Sequence, residues 1–267
     1  GKSCSTHCMP MLGKKFPTYR AFAASVLPDI YTEQRLANAE QFKATTFESG
    51  ALINDGGGHF TFHPLPRFAQ ASPGYGVVAA DIDADGRIEV VAVQNMFTRE
   101  PETGLWRGGI GVILEYGAGG VFRVEPASET GFVVDGDAKG LTLCDLDSDN
   151  RPDLVVCQNN GRLLAWKNQG DGQPLFSVRL NGSPGNRNGI GARIIAHYTD
   201  GTVRAAEMTA GNGYLSQSQP VVYFNVAGTP IKVLEIRWPD GETTKATPDA
   251  KSPTITVSKR LLSKATR

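Results

Sequence analysis

Two short acidic stretches constrain this chain more than any other feature. Residues 145–153 read DLDSDNRPD and run into the apolar Leu154, Val155 and Val156. Residues 81–89 read DIDADGRIE and run into Val90, Val91, Ala92 and Val93. Their first positions lie 64 residues apart (145 − 81). Each puts acidic side chains at positions one, three, five and nine, then enters a β-type run. Carboxylates at alternate positions of a tight loop converge on one point, so each stretch reads as an oxygen-rich cage between two strands.

That cage suits calcium, a hard cation taking about six to eight oxygen ligands in flexible geometry. The spacing predicts one ligand set of Asp81, Asp83, Asp85, the carbonyl of Arg87, and Glu89. The second set is Asp145, Asp147, Asp149, the carbonyl of Arg151, and Asp153. Gly86 suits the sharp turn at position six, and Asn150, the next most tolerant residue for a left-handed backbone, stands there in the second copy. The loops are too short for an EF-hand and are flanked by strands instead of helices. Magnesium fits less well, since it prefers a tight octahedron with retained waters. The plainer reading is a solvated turn in which Asp bonds nearby amides. Two copies, each with an acidic ninth position and a following strand, favour the cation, because unneutralised carboxylates this close repel.

With 267 residues the chain has room for one or two domains, and 40% hydrophobic residues supply a core. The 31 Gly and 16 Pro suit many short strands and turns. Zero net charge argues against a nucleic-acid partner or a polybasic membrane patch. No apolar run reaches the roughly 18 residues of a membrane span, so membrane insertion is not expected. No signal peptide is visible, and a start at Gly1 suggests a mature or excised piece. Cys4 and Cys8, or Cys144 and Cys157, can be paired or free. Their spacing matches no zinc site, and His7, His59, His63 and His197 form no H-E-x-x-H motif.

Residues 1–14 read as irregular. Two helices are expected at about 17–26 and 32–43, the second capped by Thr32, packing on a sheet as an insertion or lid. Tyr19, Phe22 and Leu27 read as core contacts. From Thr45 the pattern turns β. Gly-rich turns ending in Phe recur at 55–60, 117–122 and 170–176. Phe60 precedes Asp81 by 21 residues and Phe122 precedes Asp145 by 23. Turn, aromatic strand, acidic loop and apolar strand therefore repeat with a period of about 60 residues, the size of a four-stranded propeller blade. The polar stretch Asn95–Trp106, with Pro101 and Gly104, reads as a loop insertion, and Trp106 as a packing residue.

The acidic loops and Gly-rich turns resemble FG-GAP/VCBS repeats, the blades of integrin-α-type propellers, whose D-x-D-x-D-G-x-x-D loops bind calcium. The resemblance covers residues 46–175 and implies two units after a partial one, fewer than a closed propeller needs. Further on, Asn186–Arg193 (NRNGIGAR), Gly211–Ser218 (GNGYLSQS) and Trp238–Gly241 (WPDG) resemble the ASPIC/UnbV domain in order and spacing. Phe224–Gly228 (FNVAG) departs mildly from the usual glycine-rich segment. The combination is similar to that of the cartilage acidic protein family. Seven strands are predicted here, at 176–181, 190–198, 202–208, 220–226, 231–238, 242–246 and 254–258, with a turn at Pro239–Gly241. Ser216, Gln217 and Ser218 read as a hydrogen-bonded structural loop, with ligand binding as the alternative.

The expected fold is mainly β. A helical segment (1–45) precedes a partial propeller (46–175) and a small all-β C-terminal domain (176–267). The expected function is non-catalytic: a calcium-binding extracellular or cell-surface module for protein or surface adhesion, periplasmic or outer-membrane associated if bacterial. It would form the C-terminal part of a longer propeller protein. Its partner would be a protein or glycan ligand, or further blades of a longer chain. A carbohydrate-binding alternative would use Trp106, Trp166, Tyr75 and Tyr214 for stacking. A hydrolase is disfavoured, because the acids concentrate in cation loops and no G-x-S-x-G is present.

Overall fold

A computed structural model describes residues 1–98, 103–117, 119–170 and 172–259. Pro101, Ala118 and Asp171 of the predicted turns and insertion lie outside the described residues. The chain separates into two compact units, one of Gly1–Glu48 with Phe97–Leu105, the other of Ser49–Met96 with Trp106–Arg267.

The first unit holds five short helices: α1 (Lys2–Cys8), α2 (Met11–Lys15), α3 (Tyr19–Ala23), α4 (Leu27–Tyr31) and α5 (Glu33–Ala37). This corrects the sequence expectation in four ways. Residues 1–14 are largely helical instead of irregular, because α1 and α2 occupy them. The two short helices expected at about 17–26 and 32–43 break into still shorter turns, since Pro28 admits a helix only in its first turn and Thr32 takes φ 65° between α4 and α5. Thr32 makes no side-chain cap, whereas Thr18 Oγ1 accepts the Ala21 amide at 3.1 Å. Tyr19 (60% exposed) and Leu27 (57%) are not core residues, whereas Phe22, also expected as a contact, is half-buried and meets the buried Phe16 edge-on at 5.7 Å.

The second unit opens with an antiparallel hairpin, β1 (Gly50–Asn54) and β2 (Phe60–Pro64). A four-stranded antiparallel meander follows: β3 (Gly74–Ala80), β4 (Glu89–Gln94), β5 (Val112–Tyr116) and β6 (Phe122–Val124). The long β4–β5 connection is pinched by an antiparallel bridge between Met96 and Trp106, as an insertion requires. After the short α6 (Ala127–Thr130), β7 (Ala138–Cys144), β8 (Asp153–Gln158) and β9 (Leu164–Trp166) form a three-stranded meander. Each acidic stretch joins the first two strands of its meander. β4 alternates its apolar residues between two cores. Val91 and Val93 join Val78, Leu141, Leu154 and Val156 in the core shared by the meanders. Ala92 faces the other way, with Leu114 and Phe122.

The expected fourth strand of the second meander goes elsewhere. The third Gly-rich turn leads into β10 (Phe176–Asn181), whose Phe176, Ser177, Val178 and Leu180 are buried. Such a strand needs cover on both faces, and it finds it at the centre of a new sheet. β10 lies between β13 (Val222–Phe224), antiparallel, and β16 (Thr254–Ser258), parallel. A second sheet runs β12 (Val203–Glu207), β11 (Arg193–Tyr198), β14 (Ile231–Arg237), β15 (Thr243–Ala246). The two sheets share a core of Val178, Ile194, Leu234, Ile236, Phe224 and Trp238, among others, making a small β-sandwich. All seven strands expected here form. The Pro239–Gly241 turn closes through Trp238 N to Glu242 O at 2.9 Å, with Gly241 at φ 88°. Mainly β architecture is thus observed, with no closed barrel or propeller among the described residues.

The glycine-rich signature at 211–218 has a structural task. It runs along the open edge of β7: Leu141 N donates to Gly213 O and Gln219 N to Leu143 O, each at 2.9 Å. Leu143 N donates to Ser218 Oγ at 3.0 Å, and Ser216 Oγ to Leu141 O at 2.9 Å. A Cβ on Gly213 would sit 1.8 Å from Leu141 O, so only glycine allows this approach. The segment satisfies an otherwise bare strand edge and seats the sandwich on the second meander.

All four cysteines are free. Cys144 pairs in register with Asp153 and Cys157 with Gly140, so they occupy opposite ends of the β7–β8 pair and cannot bridge.

Candidate metal centre

The two acidic loops fold alike. In each, the first-position carboxylate accepts the sixth-position amide: Asp81 Oδ2 from Gly86 N at 3.0 Å, Asp145 Oδ2 from Asn150 N at 3.1 Å. The fifth accepts the seventh: Asp85 Oδ1 from Arg87 N at 2.7 Å, Asp149 Oδ1 from Arg151 N at 2.9 Å. The ninth reaches back to the second: Glu89 Oε2 accepts Ile82 N and Asp153 Oδ2 accepts Leu146 N, each at 2.7 Å. Position six is left-handed in both, at φ 93° for Gly86 and 62° for Asn150, as the sequence predicts. Position four is left-handed too, at 64° for both Ala84 and Ser148, which nothing in those residue types announces.

This wiring gathers Asp81, Asp83 and Asp85 with one carboxylate oxygen each within 4.8 Å of one another, and likewise Asp145, Asp147 and Asp153. Glu89 and Asp149 stand outside these groups, so the five-ligand sets are only partly assembled by side chains. Glu89 is turned to the Ile82 amide, and Asp149 to the Arg151 amide. The carbonyls of Arg87 and Arg151 accept no hydrogen bond among the described residues. Their side chains are engaged elsewhere: Arg87 with Asp85 and, at 2.7 Å, Glu115; Arg151 with Gly172 O at 2.6 Å.

The electrostatics differ between the loops. Burial pushes Asp81 above its ordinary value, against the hydrogen bonds from Asn225 and Gly86, and Asp83 and Asp85 push the same way. Burial raises Glu89, 5% exposed, to about 7, with repulsion from Asp83, Asp81 and Asp85 adding to it. Burial also acts on Asp85, but the side chain and amide of Arg87 outweigh it and hold the carboxyl low. In the second loop Lys167 pairs with Asp147 and lowers it. Asp153, fully buried, accepts a further amide from Asn168 at 2.7 Å. Asn168 Nδ2 in turn donates to Ile82 O at 2.7 Å, tying the second loop to the first.

A cation fits this donor set. The gathered atoms are all hard oxygens, and Asp81 Oδ1 is buried without any hydrogen-bond partner. A buried lone carboxylate oxygen is costly unless something positive or a donor meets it.

The aromatics singled out for stacking are mostly engaged. Tyr75 meets Tyr214 edge-on at 5.1 Å beneath the Lys139 ammonium, 3.4 Å from the Tyr75 ring centre. Trp106 supplies the bridge to Met96. Trp166 packs on Phe132 at 4.9 Å and donates Nε1–H to Gly131 O at 3.0 Å, yet it borders a cleft of about 550 Å³ beside the first loop, with Asp83, Glu89 and Lys167. His63 binds Gly120 O at 2.7 Å, a structural bond.

Residues 182–260 match the family described as ASPIC and UnbV, so the sandwich carries that domain. The chain is also homologous to cartilage acidic protein 1. It is 25% identical to the mouse protein over 189 residues, covering 66% of this chain and 27% of the mouse protein. The human protein is 24% identical, with 66% and 26% covered, and the Xenopus tropicalis protein 28%, with 66% and 27% covered. The matched region thus spans about a quarter of each relative.

Proposed function

We propose that this region is a non-catalytic, calcium-stabilised extracellular binding module. The carrying observation is the repeated wiring of the two acidic loops, each gathering three carboxylates within 4.8 Å. Asp81, Asp83 and Asp85 would hold one ion and Asp145, Asp147 and Asp153 the other, with the carbonyls of Arg87 and Arg151 as further oxygens. Bound calcium supplies the charge that lets these carboxylates stay ionised together. The two meanders would be FG-GAP/VCBS units of a longer propeller. Four observations support that reading: the repeat, the shared core, the position of each loop between the first two strands, and the homology to longer proteins.

The role of calcium is structural. Binding to the folded form alone adds about 2.7 kcal/mol at a hundredfold excess over Kd. Extracellular modules bind at roughly 10⁻⁴ to 10⁻³ M, which suits a calcium-rich exterior. The partner would be a protein or surface ligand. The cleft beside Trp166 favours a glycan as the second reading, and a glycan array with Trp166→Ala distinguishes the two: binding lost with the indole supports the glycan.

A thermal melt of the chain in millimolar calcium and in excess chelator tests the main reading. The expected result is a higher melting temperature in calcium, together with two bound ions by calorimetric titration. Identical melts with no bound ion would reduce both loops to ordinary turns.

A further inference from the structure

The sandwich reaches into the first acidic loop and not into the carboxylates of the second. Asn225, just beyond β13, donates Nδ2–H to Asp81 Oδ2 at 3.0 Å and to Ala84 O at 2.6 Å. Asn225 is itself fixed: its side-chain Oδ1 accepts Ala227 N at 2.8 Å, and its backbone carbonyl accepts the Tyr198 hydroxyl at 2.9 Å. Arg204, on β12, adds Nη1–H to Gly86 O at 3.3 Å. Asp81 Oδ2 therefore holds two donors, one from its own loop and one from the sandwich, and these fix the rotation of the carboxylate. Its other oxygen, Oδ1, is left buried and without a hydrogen-bond partner, grouped with Asp83 and Asp85. In the second loop the Asp145 carboxylate accepts only its own loop's amides, Asp149 N and Asn150 N, among the described residues. There the sandwich touches the Asp145 amide through Gln219 Oε1 and the Asn150 side chain through Ser177 Oγ.

We propose that Asn225 is a positioning residue of the first cation site, so that cation binding at Asp81, Asp83 and Asp85 and docking of the ASPIC/UnbV sandwich strengthen one another. The inference rests on the calcium reading of that loop. The physical reason is preorganisation. A carboxylate already oriented by two donors loses less freedom when it meets an ion, and the ion in turn holds the loop in the shape Asn225 and Arg204 grip. Coupling of this kind is reciprocal: whatever factor docking adds to cation affinity, the cation adds to docking. The second site has no such strut on its Asp145 carboxylate among the described residues, so it should bind independently of Asn225.

The test uses the full chain, calcium alone as ligand, and an Asp145→Ala background in which only the first site remains. Asn225→Ala should weaken calcium binding there by about tenfold, the scale of one hydrogen bond to a charged group. In the otherwise native chain the second site's affinity should not change. Tyr198→Phe, which removes only the hydroxyl holding Asn225, should weaken the same site by less, and it carries the test if Asn225→Ala does not fold. Reciprocally, calcium should slow amide exchange across residues 222–227 in the Asp145→Ala chain. A first-site affinity unchanged within about twofold in both variants, with two ions still bound by the native chain, overturns the inference and leaves the calcium reading standing. No ion bound by the native chain overturns the reading itself, and the inference with it.

Discussion

The two acidic loops share a backbone and differ in how their charge is held. The second is nearly self-sufficient. Asp147 has the Lys167 ammonium, and Asp153 has two amides on a fully buried carboxylate. The first is in deficit. Of the cations that reach it, Arg87 serves Asp85 and Glu115, and Arg204 bonds a backbone carbonyl, that of Gly86. Asp81 keeps an unpartnered oxygen, and Glu89 is pushed to about 7 by its burial and by its acidic neighbours. The same nine-residue pattern thus yields one loop whose carboxylates are met by protein contacts and one that leaves a buried carboxylate oxygen unmet, which is where the proposed ion would matter most. A sequence motif predicts the fold of a loop better than it predicts how the loop's charge is met.

The largest effect should come from the ninth position. Asp153→Ala would strand the part-buried amides of Leu146 and Asn168, empty a fully buried carboxylate position and cost about 2–4 kcal/mol. Chemical denaturation should show that loss in chelator, and a larger one in calcium, where the second site's ion is lost as well. Glu89→Gln should behave oppositely: in chelator it removes a disfavoured charge and leaves stability level or higher, while calcium no longer stabilises as much. Equal behaviour of the two ninth-position variants would erase the contrast between the loops.

Chelation itself should separate them next. Amide exchange at residues 82–89 should accelerate on removing calcium by about tenfold more than at 146–153, because only the first loop loses the partner of a buried oxygen. Matching acceleration would mean that Lys167 and the Asn168 amide do not substitute for the ion.

The pH profile sharpens the same point. Glu89 ordinarily titrates near 4.5 and in the folded chain near 7, so its folded value is raised. Its proton therefore favours the folded state fully below about 4.5, and that contribution is lost as pH rises through about 7. In chelator the melting temperature should fall between pH 5 and pH 8, a fall that Glu89→Gln flattens. In saturating calcium it should shrink, because the ion favours the ionised carboxylate. A flat profile in chelator would show that Glu89 is already ionised and the first loop is not in deficit.

Much of this was legible in the residues. Gly86 and Asn150 announce the left-handed sixth position, and the alternating Asp residues announce convergence. The seven sandwich strands follow from β-branched runs broken by Gly and Pro turns, so all formed where expected. The N-terminal helices were misjudged because composition reports helix propensity, whereas single turns separated by Pro28 and a left-handed Thr32 depend on local backbone geometry. The task of Gly213 was hidden for another reason. Its signal is a close approach to Leu141, 72 residues back (213 − 141), and one sequence carries no mark of such a pairing. Asn225 was invisible likewise: its bond to Asp81 spans 144 positions. Ligands close in sequence can be read; struts from another module cannot.

The smallest effect lies at position four. Ala84 and Ser148 both sit at φ 64°, a region costing non-glycine residues roughly 1–2 kcal/mol. Glycine relieves that strain but adds freedom to the unfolded chain, so Ala84→Gly and Ser148→Gly should each gain no more than about 1 kcal/mol. The two need not act alike on calcium. The strained Ala84 presents its carbonyl to Asn225, whereas no such bond reaches Ser148 among the described residues. If the strain only holds that carbonyl in place, Ala84→Gly raises the melting temperature and leaves first-site affinity unchanged, since the Asn225 bond can do the holding. If affinity falls at the first site while Ser148→Gly leaves the second untouched, rigidity of the backbone at position four is part of how the sandwich orders the ion's ligands. Side-by-side calcium titrations of the two variants decide between these outcomes.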